Sequence, residues 1–186
     1  MAHVCPWWLG YLLISPLRRL FEPPARILAP YVSDGMTVLE PGPGMGFFTL
    51  DLARLVGGTG RVIAVDLQPL MLRGLRRRAA AAGLLERIDA RLAQPNSLEV
   101  ADLKGQVDLV FACHMVHELP NAAAFFVEAA AALKPAGTLL LVEPSGHVAP
   151  AQFEAELKAA SAAGLAVTSR PSIRRSRAAL LAKSGA

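Results

Sequence analysis

The chain has 186 residues, 53% hydrophobic and only 18% charged, with a formal net charge of +4. That length suits one domain with a substantial buried core, and the composition excludes a disordered chain. Cys5 and Cys113 are the only cysteines, too few for a disulfide scaffold, so a cytoplasmic setting is expected. The apolar stretch from Trp7 to Ile14 is interrupted by Gly10, stops at Pro16 and follows no early positive region. It is too short to span a bilayer and makes a poor signal peptide, so a soluble protein is expected.

In chain order, a segment with helical character runs to about Val32, and an apolar run, Met36 to Leu39, predicts a strand over 36–40. The glycine-rich stretch Glu40-Pro41-Gly42-Pro43-Gly44-Met45-Gly46 follows, and a helix is expected over 46–56. Strand, glycine turn and helix together make a cradle for a nucleoside-bearing cofactor. Gly42 and Gly44 can take backbone angles that other residues avoid, and they let a ligand approach the main chain. Further strands are expected near 61–65, 88–92, 107–112 and 137–143, with helices near 69–82, 121–133 and 150–163. Two closing strands, near 165–169 and 176–183, are separated by Pro171 and a basic turn, which predicts an antiparallel hairpin. The alternation of strands and helices predicts a doubly wound α/β fold with a mostly parallel sheet.

Asp66, followed by Leu67, ends the second strand twenty residues after Gly46. A carboxylate there can accept hydrogen bonds from both hydroxyls of a ribose; the competing reading is a helix N-cap before Pro69. In the dinucleotide fingerprint the third glycine comes three positions after the second, but Phe occupies position 47 and the glycine sits at 46. With Glu40 just ahead, the segment instead resembles motif I of the class I S-adenosylmethionine-dependent methyltransferases.

That resemblance covers about residues 34–183 and implies a seven-stranded Rossmann-like sheet whose last strand runs against the others. It implies that S-adenosylmethionine is held by Glu40, Gly42, Pro43, Gly44, Gly46, Asp66 and Leu67. The stretch Val107 to His114 resembles the family's motif IV, which places the Cys113 backbone at the methionine end of the cofactor. Where many relatives carry Gly-Asp-Ala after the third strand, this chain has Gln94-Pro95-Asn96. Gln94 can still accept from an adenine amino group, Pro95 has no N–H to give, and Asn96 is the candidate to compensate.

Methyl transfer from a sulfonium is an in-line displacement, so alignment does much of the work, and an oxygen or nitrogen acceptor can also need a base. His117 is the candidate base and Glu118 the group that could orient it; His114 is a candidate substrate contact beside them, whereas His147 reads as solvated. The competing reading has His117 packing on the cofactor or capping the helix at Asn121. The N-terminal segment, residues 1–32, holds His3, Cys5, Trp7, Trp8 and Tyr11, which would act as a lid on the substrate or anchor a helix to the domain or to a second subunit of a homodimer. No metal site is expected, although Cys5 with Cys113 could hold a soft acceptor.

The arginines at 76–78 point in different directions on a helix and read as a solvated face, which disfavours a nucleic-acid partner. The general style resembles the small soluble methyltransferases of that family, which implies a small-molecule acceptor. Two alternatives stay open: a nicotinamide-dependent oxidoreductase, and a cofactor-binding module without turnover.

Overall fold

The structure, a computed structural model, describes Ile14 and residues 18–183, apart from the side chains of Leu20 and Phe21. Trp7, Trp8 and Tyr11, with His3 and Cys5, lie outside the described residues. The chain divides into two compact units, one ending at Ala93 and the other beginning at Gln94.

The first unit contains α1 (Arg18–Phe21), α2 (Pro24–Leu28), β1 (Thr37–Pro41), α3 (Thr49–Leu55), β2 (Arg61–Asp66), α4 (Pro69–Ala81) and β3 (Ile88–Leu92). β2 pairs in parallel with β1, Val38 opposite Val62, and in parallel with β3, Val62 opposite Ile88. Every residue of β2 after Arg61 is buried, as expected of a strand covered on both faces. α4 begins with Pro69, whose missing N–H costs nothing in the first turn, and buries Met71, Leu72, Leu75 and Ala79 at helical spacing. It ends where Gly83 takes φ +68 and the Leu84 N–H donates to the Ala79 carbonyl, a Schellman closure.

The second unit contains β4 (Val107–Cys113), α5 (Ala122–Ala132), β5 (Leu133–Pro144), α6 (Pro150–Ala162), β6 (Leu165–Ser169) and β7 (Ser176–Lys183). β4 and β5 are parallel, whereas β7 runs antiparallel to both β5 and β6. The Asn121 side chain caps α5 by accepting from the Ala124 N–H at 3.0 Å. The seven strands follow the order β3-β2-β1-β4-β5-β7-β6, which is the mostly parallel sheet with an antiparallel C-terminal hairpin expected from the sequence. Among the described residues no helix is long and apolar enough to cross a membrane.

Two boundaries differ from expectation. α3 starts at Thr49 and not at 46, because Gly46 has φ +82 and its residue cannot belong to a right-handed helix. β5 starts at Leu133, four residues early: Leu133 pairs with Val107, and the register shifts before Leu109 meets Thr138. Gly137 permits that irregularity, since a Cβ on it would lie 2.8 Å from the Val107 carbonyl oxygen.

Candidate functional site

Two groups of candidate residues stand out, one in each unit. In the first unit the turn after β1 is drawn into a tight arc, with Gly42, Gly44 and Gly46 at φ +69, +55 and +82. A Cβ on Gly46 would strike Leu75 Cδ1 at 2.4 Å, whereas a Cβ on Gly44 would meet no atom within 4 Å. Gly46 is therefore glycine for packing, and Gly44 keeps clear the space into which its side chain would project. Asp66, at the end of β2, ties the arc down. The Gly44 N–H donates to Asp66 Oδ2 at 3.1 Å, and the Gln68 N–H donates to Oδ1 at 2.8 Å. Burial pushes the Asp66 carboxyl above its usual range, and these backbone donors oppose the rise. Gln68, not Asp66, occupies the N-cap of α4. Each Asp66 oxygen retains a second lone pair, so both can still accept from a pair of hydroxyls.

Glu40 lies on the same floor. It is 3% exposed, and its Oε2 is buried with no hydrogen-bond partner. Burial pushes its carboxyl up to about 8; the nearby Thr49 hydroxyl opposes the rise and the charge of Asp66 adds to it. An orphaned carboxyl oxygen on the residue two before the glycine arc suits a ligand that brings hydrogen-bond donors or positive charge. The residues present thus fit an adenosyl sulfonium carrying an amino group: Asp66 would hold the ribose hydroxyls, and Glu40 would receive donors further along. The arc is braced from behind by Arg78, whose Nη1 donates to the Met45 carbonyl; burial lowers its pKa. Arg76 donates to the Ala90 carbonyl. Of the three adjacent arginines, then, Arg76 and Arg77 are exposed as expected, while half-buried Arg78 corrects the expectation of a uniformly solvated face.

In the second unit β4 ends at half-buried Cys113, opposite Val142, and His114 follows with φ +57. His114 Nε2 lies 3.3 Å from Ser176 Oγ. A short turn, Val116–Glu118, then presents His117. His117 Nδ1 hydrogen-bonds Glu143 Oε2, and Glu143 Oε1 accepts from the Val116 N–H at 2.8 Å. Glu143 is fully buried at the end of β5, so it fixes both the His117 ring and the backbone beneath it. The Glu143 hydrogen bond raises the His117 pKa against the effect of burial. A carboxylate on Nδ1 leaves the lone pair of the neutral ring on Nε2. Glu118 lies beside that nitrogen, its Oε1 4.0 Å away, while exposed His147 has its ring 6.5 Å from that of His117.

Among the remaining expected residues, Leu67 is half-buried, and Gln94, Pro95 and Asn96 are exposed. They form a tight turn in which the Gln94 and Ser97 N–H groups donate to each other's carbonyls. Sequence reasoning did not single out Thr49, Arg78, Glu143 or Glu156. Glu156 had a usable signal: it shares the apolar face of α6 with Phe153, Leu157 and Ala160.

The methyltransferase-domain family model matches residues 38–137 of this chain. A ribosomal protein L11 methyltransferase from Pelotomaculum thermopropionicum is 38% identical over 148 residues, 78% of this chain and 43% of that protein. A ubiquinone/menaquinone biosynthesis C-methyltransferase from Hydrogenovibrio crunogenus is 29% identical over 119 residues, 64% of this chain and 46% of that protein. The chain thus spans less than half the length of these two curated relatives. A solved methyltransferase from Aquifex aeolicus has the same fold, with a TM-score of 0.85 at 23% identity over 96% of this chain and 98% of that one. The chain belongs to the methyltransferase-domain family, in the class I group whose cofactor is S-adenosylmethionine.

Proposed function

We propose that this chain transfers a methyl group from S-adenosylmethionine to a small-molecule acceptor. The observation that carries the reading is the cradle of the first unit, which combines an open glycine face, a backbone-tethered Asp66 and an orphaned Glu40 oxygen. The bound cofactor supplies a methyl group already activated on a sulfonium. The protein's part is to hold the donor by Asp66, Glu40 and the Gly42–Gly46 main chain, and to take a proton from the acceptor. His117 is the residue for that proton: Glu143 occupies Nδ1, and Nε2 is the free basic nitrogen. Each group, taken by itself, stands at the carboxyl end of a strand of its own unit, the end at which open α/β sheets take ligands. Cys113 through its backbone, Leu67, Gln94 and Asn96 complete the proposed cofactor contacts. His114 contacts the acceptor, and Glu118 lies beside the base.

Calorimetry with S-adenosylmethionine and S-adenosylhomocysteine tests the reading, with heat expected for both and none for NAD. Absence of heat with the first two on folded protein overturns it. A second reading, a protein acceptor, is favoured by the likeness to the L11 methyltransferase over most of this chain. A labelled-methyl assay against fractionated extract separates them, because the label appears in the small-molecule fraction on the first reading and in protein on the second.

A further inference from the structure

Glu156 sits on the inner face of α6, 6% exposed, and both of its carboxyl oxygens are buried without a hydrogen-bond partner. The rest of that face is apolar, with Phe153, Leu157 and Ala160 buried. A methionine or leucine would fill the space without the desolvation cost of an unsatisfied carboxyl, so packing does not account for the acid. Its electrostatic neighbours are Glu143 and His117. Two other titratable groups face the His117 ring: Glu118, with Oε1 4.0 Å from Nε2, also raises its pKa, and the His147 ring lies 6.5 Å away. Of the other charges, Arg170 pairs with Glu154, Glu128 of α5 accepts from the Leu98 N–H, and Arg177 of β7 donates to the Val148 carbonyl.

We propose that Glu156 is a positioning residue for the His117–Glu143 pair, its buried carboxyl being the alternative seat of the proton that His117 carries. This extends the reading of His117 as the base. Two arrangements hold the same number of protons. In one, Glu156 is a neutral acid, the imidazole is neutral and Glu143 is a carboxylate. In the other, the imidazolium faces two carboxylates. The net charge of the cluster is equal in both, so the ring can be made neutral without a change in buried charge. Once His117 Nε2 has taken a proton from the acceptor, loss of one proton from the part-exposed imidazole to solvent returns the cluster to its starting proton count, with the remaining proton shared between His117 and Glu156. Burial and the Glu143 charge raise the Glu156 carboxyl to about 7 while His117 opposes the rise, and Glu156 in turn raises His117.

The test is an NMR titration of the imidazole nitrogens and the glutamate carboxyl carbons in the full chain, without cofactor. In the wild-type protein the Glu156 carboxyl is expected to titrate near neutrality together with His117. In Glu156→Gln the His117 midpoint is expected to fall by about half a pH unit or more. Glu156→Asp, which keeps a carboxyl, restores most of that fall, and Glu154→Gln on the exposed face leaves the midpoint in place. A His117 midpoint unmoved by Glu156→Gln, or a Glu156 carboxyl titrating at its ordinary value, overturns the proposal; the second readout needs no variant to fold. If the midpoint moves but S-adenosylhomocysteine gives no heat, the methyl-transfer reading falls and the coupling stands.

Discussion

In the glycine cradle the main chain does the holding: three positive-φ glycines shape the arc, and Asp66 is fixed by two backbone N–H groups. In the His117 cluster the side chains do it, with Glu143 gripping an imidazole while Glu156 stands unpartnered nearby. Each region buries an acid whose carboxyl is pushed toward or above neutrality, Glu40 to about 8 and Glu156 to about 7. The difference lies in what each acid awaits. Glu40 leads into the glycine arc and feels the Asp66 charge, whereas Glu156 feels Glu143 and His117, the pair with which we propose it shares a proton.

The largest expected effect separates the two regions by function. His117→Ala should lower kcat about 100- to 10,000-fold for an acceptor that must lose a proton, and leave the affinity for S-adenosylhomocysteine unchanged. Labelled-methyl kinetics and calorimetry on the same preparation read the two quantities. A loss of affinity with kcat preserved would move His117 into the binding set and erase the division.

Within the cradle, two glycines separate packing from ligand space. Gly46→Ala incurs the left-handed penalty of about 1–2 kcal/mol and must also displace Leu75, so its urea midpoint should fall further than that of Gly44→Ala. Gly44→Ala incurs the backbone penalty alone, but its Cβ enters the open face, so its cofactor affinity should fall at least about tenfold, a loss of roughly 1.4 kcal/mol. If both variants lose stability equally and neither loses affinity beyond that, the open face is not where the ligand sits.

How much of this was legible in the sequence follows the same division. Glycine imposes its conformation locally, so the spacing of 42, 44 and 46 reads directly as an arc, and Asp66 is found by counting from it. The strands are apolar runs bounded by turns, and the C-terminal hairpin follows from Pro171 between two of them. The His117 cluster is different, because its members come from the turn after β4, the end of β5 and the second turn of α6. Topology alone brings His117 and Glu143 together, and Glu118, the nearer acid in sequence, takes the other side of the ring. No local pattern announces a partner 26 residues away. The early start of β5 was hidden for a related reason, since Pro135 and Gly137 resemble a turn until Val107 pairs with Leu133.

Glu40 also makes a pH prediction. Its folded pKa, about 8, lies above the ordinary value of 4.5, so folding favours the protonated acid. Its contribution is fully present below pH 4.5 and is lost as pH rises through 8. Between those limits the wild-type protein should lose stability relative to Glu40→Gln, which cannot ionise; thermal melts across the range read the difference. Parallel curves would mean that Glu40 is not desolvated, and the cradle would lose the orphaned oxygen on which the comparison rests.

The smallest effect tests whether the arc depends on a brace. Arg78 reaches the Met45 carbonyl from α4, and its neighbour Arg77 is exposed. Arg78→Ala should cost about 1.5 kcal/mol of stability, the lower end for a hydrogen bond from a charged donor, while Arg77→Ala should stay within about 0.5 kcal/mol of wild type. The informative quantity is affinity. If the arc is preorganised by Arg78, S-adenosylhomocysteine binding weakens a few-fold in Arg78→Ala and stays constant in Arg77→Ala. Arg78→Lys should recover little of the loss, because an ammonium on a flexible stem lacks the rigid fork that fixes the guanidinium against the carbonyl. Equal affinities across all three variants would show that the glycine backbone and Asp66 hold the arc unaided.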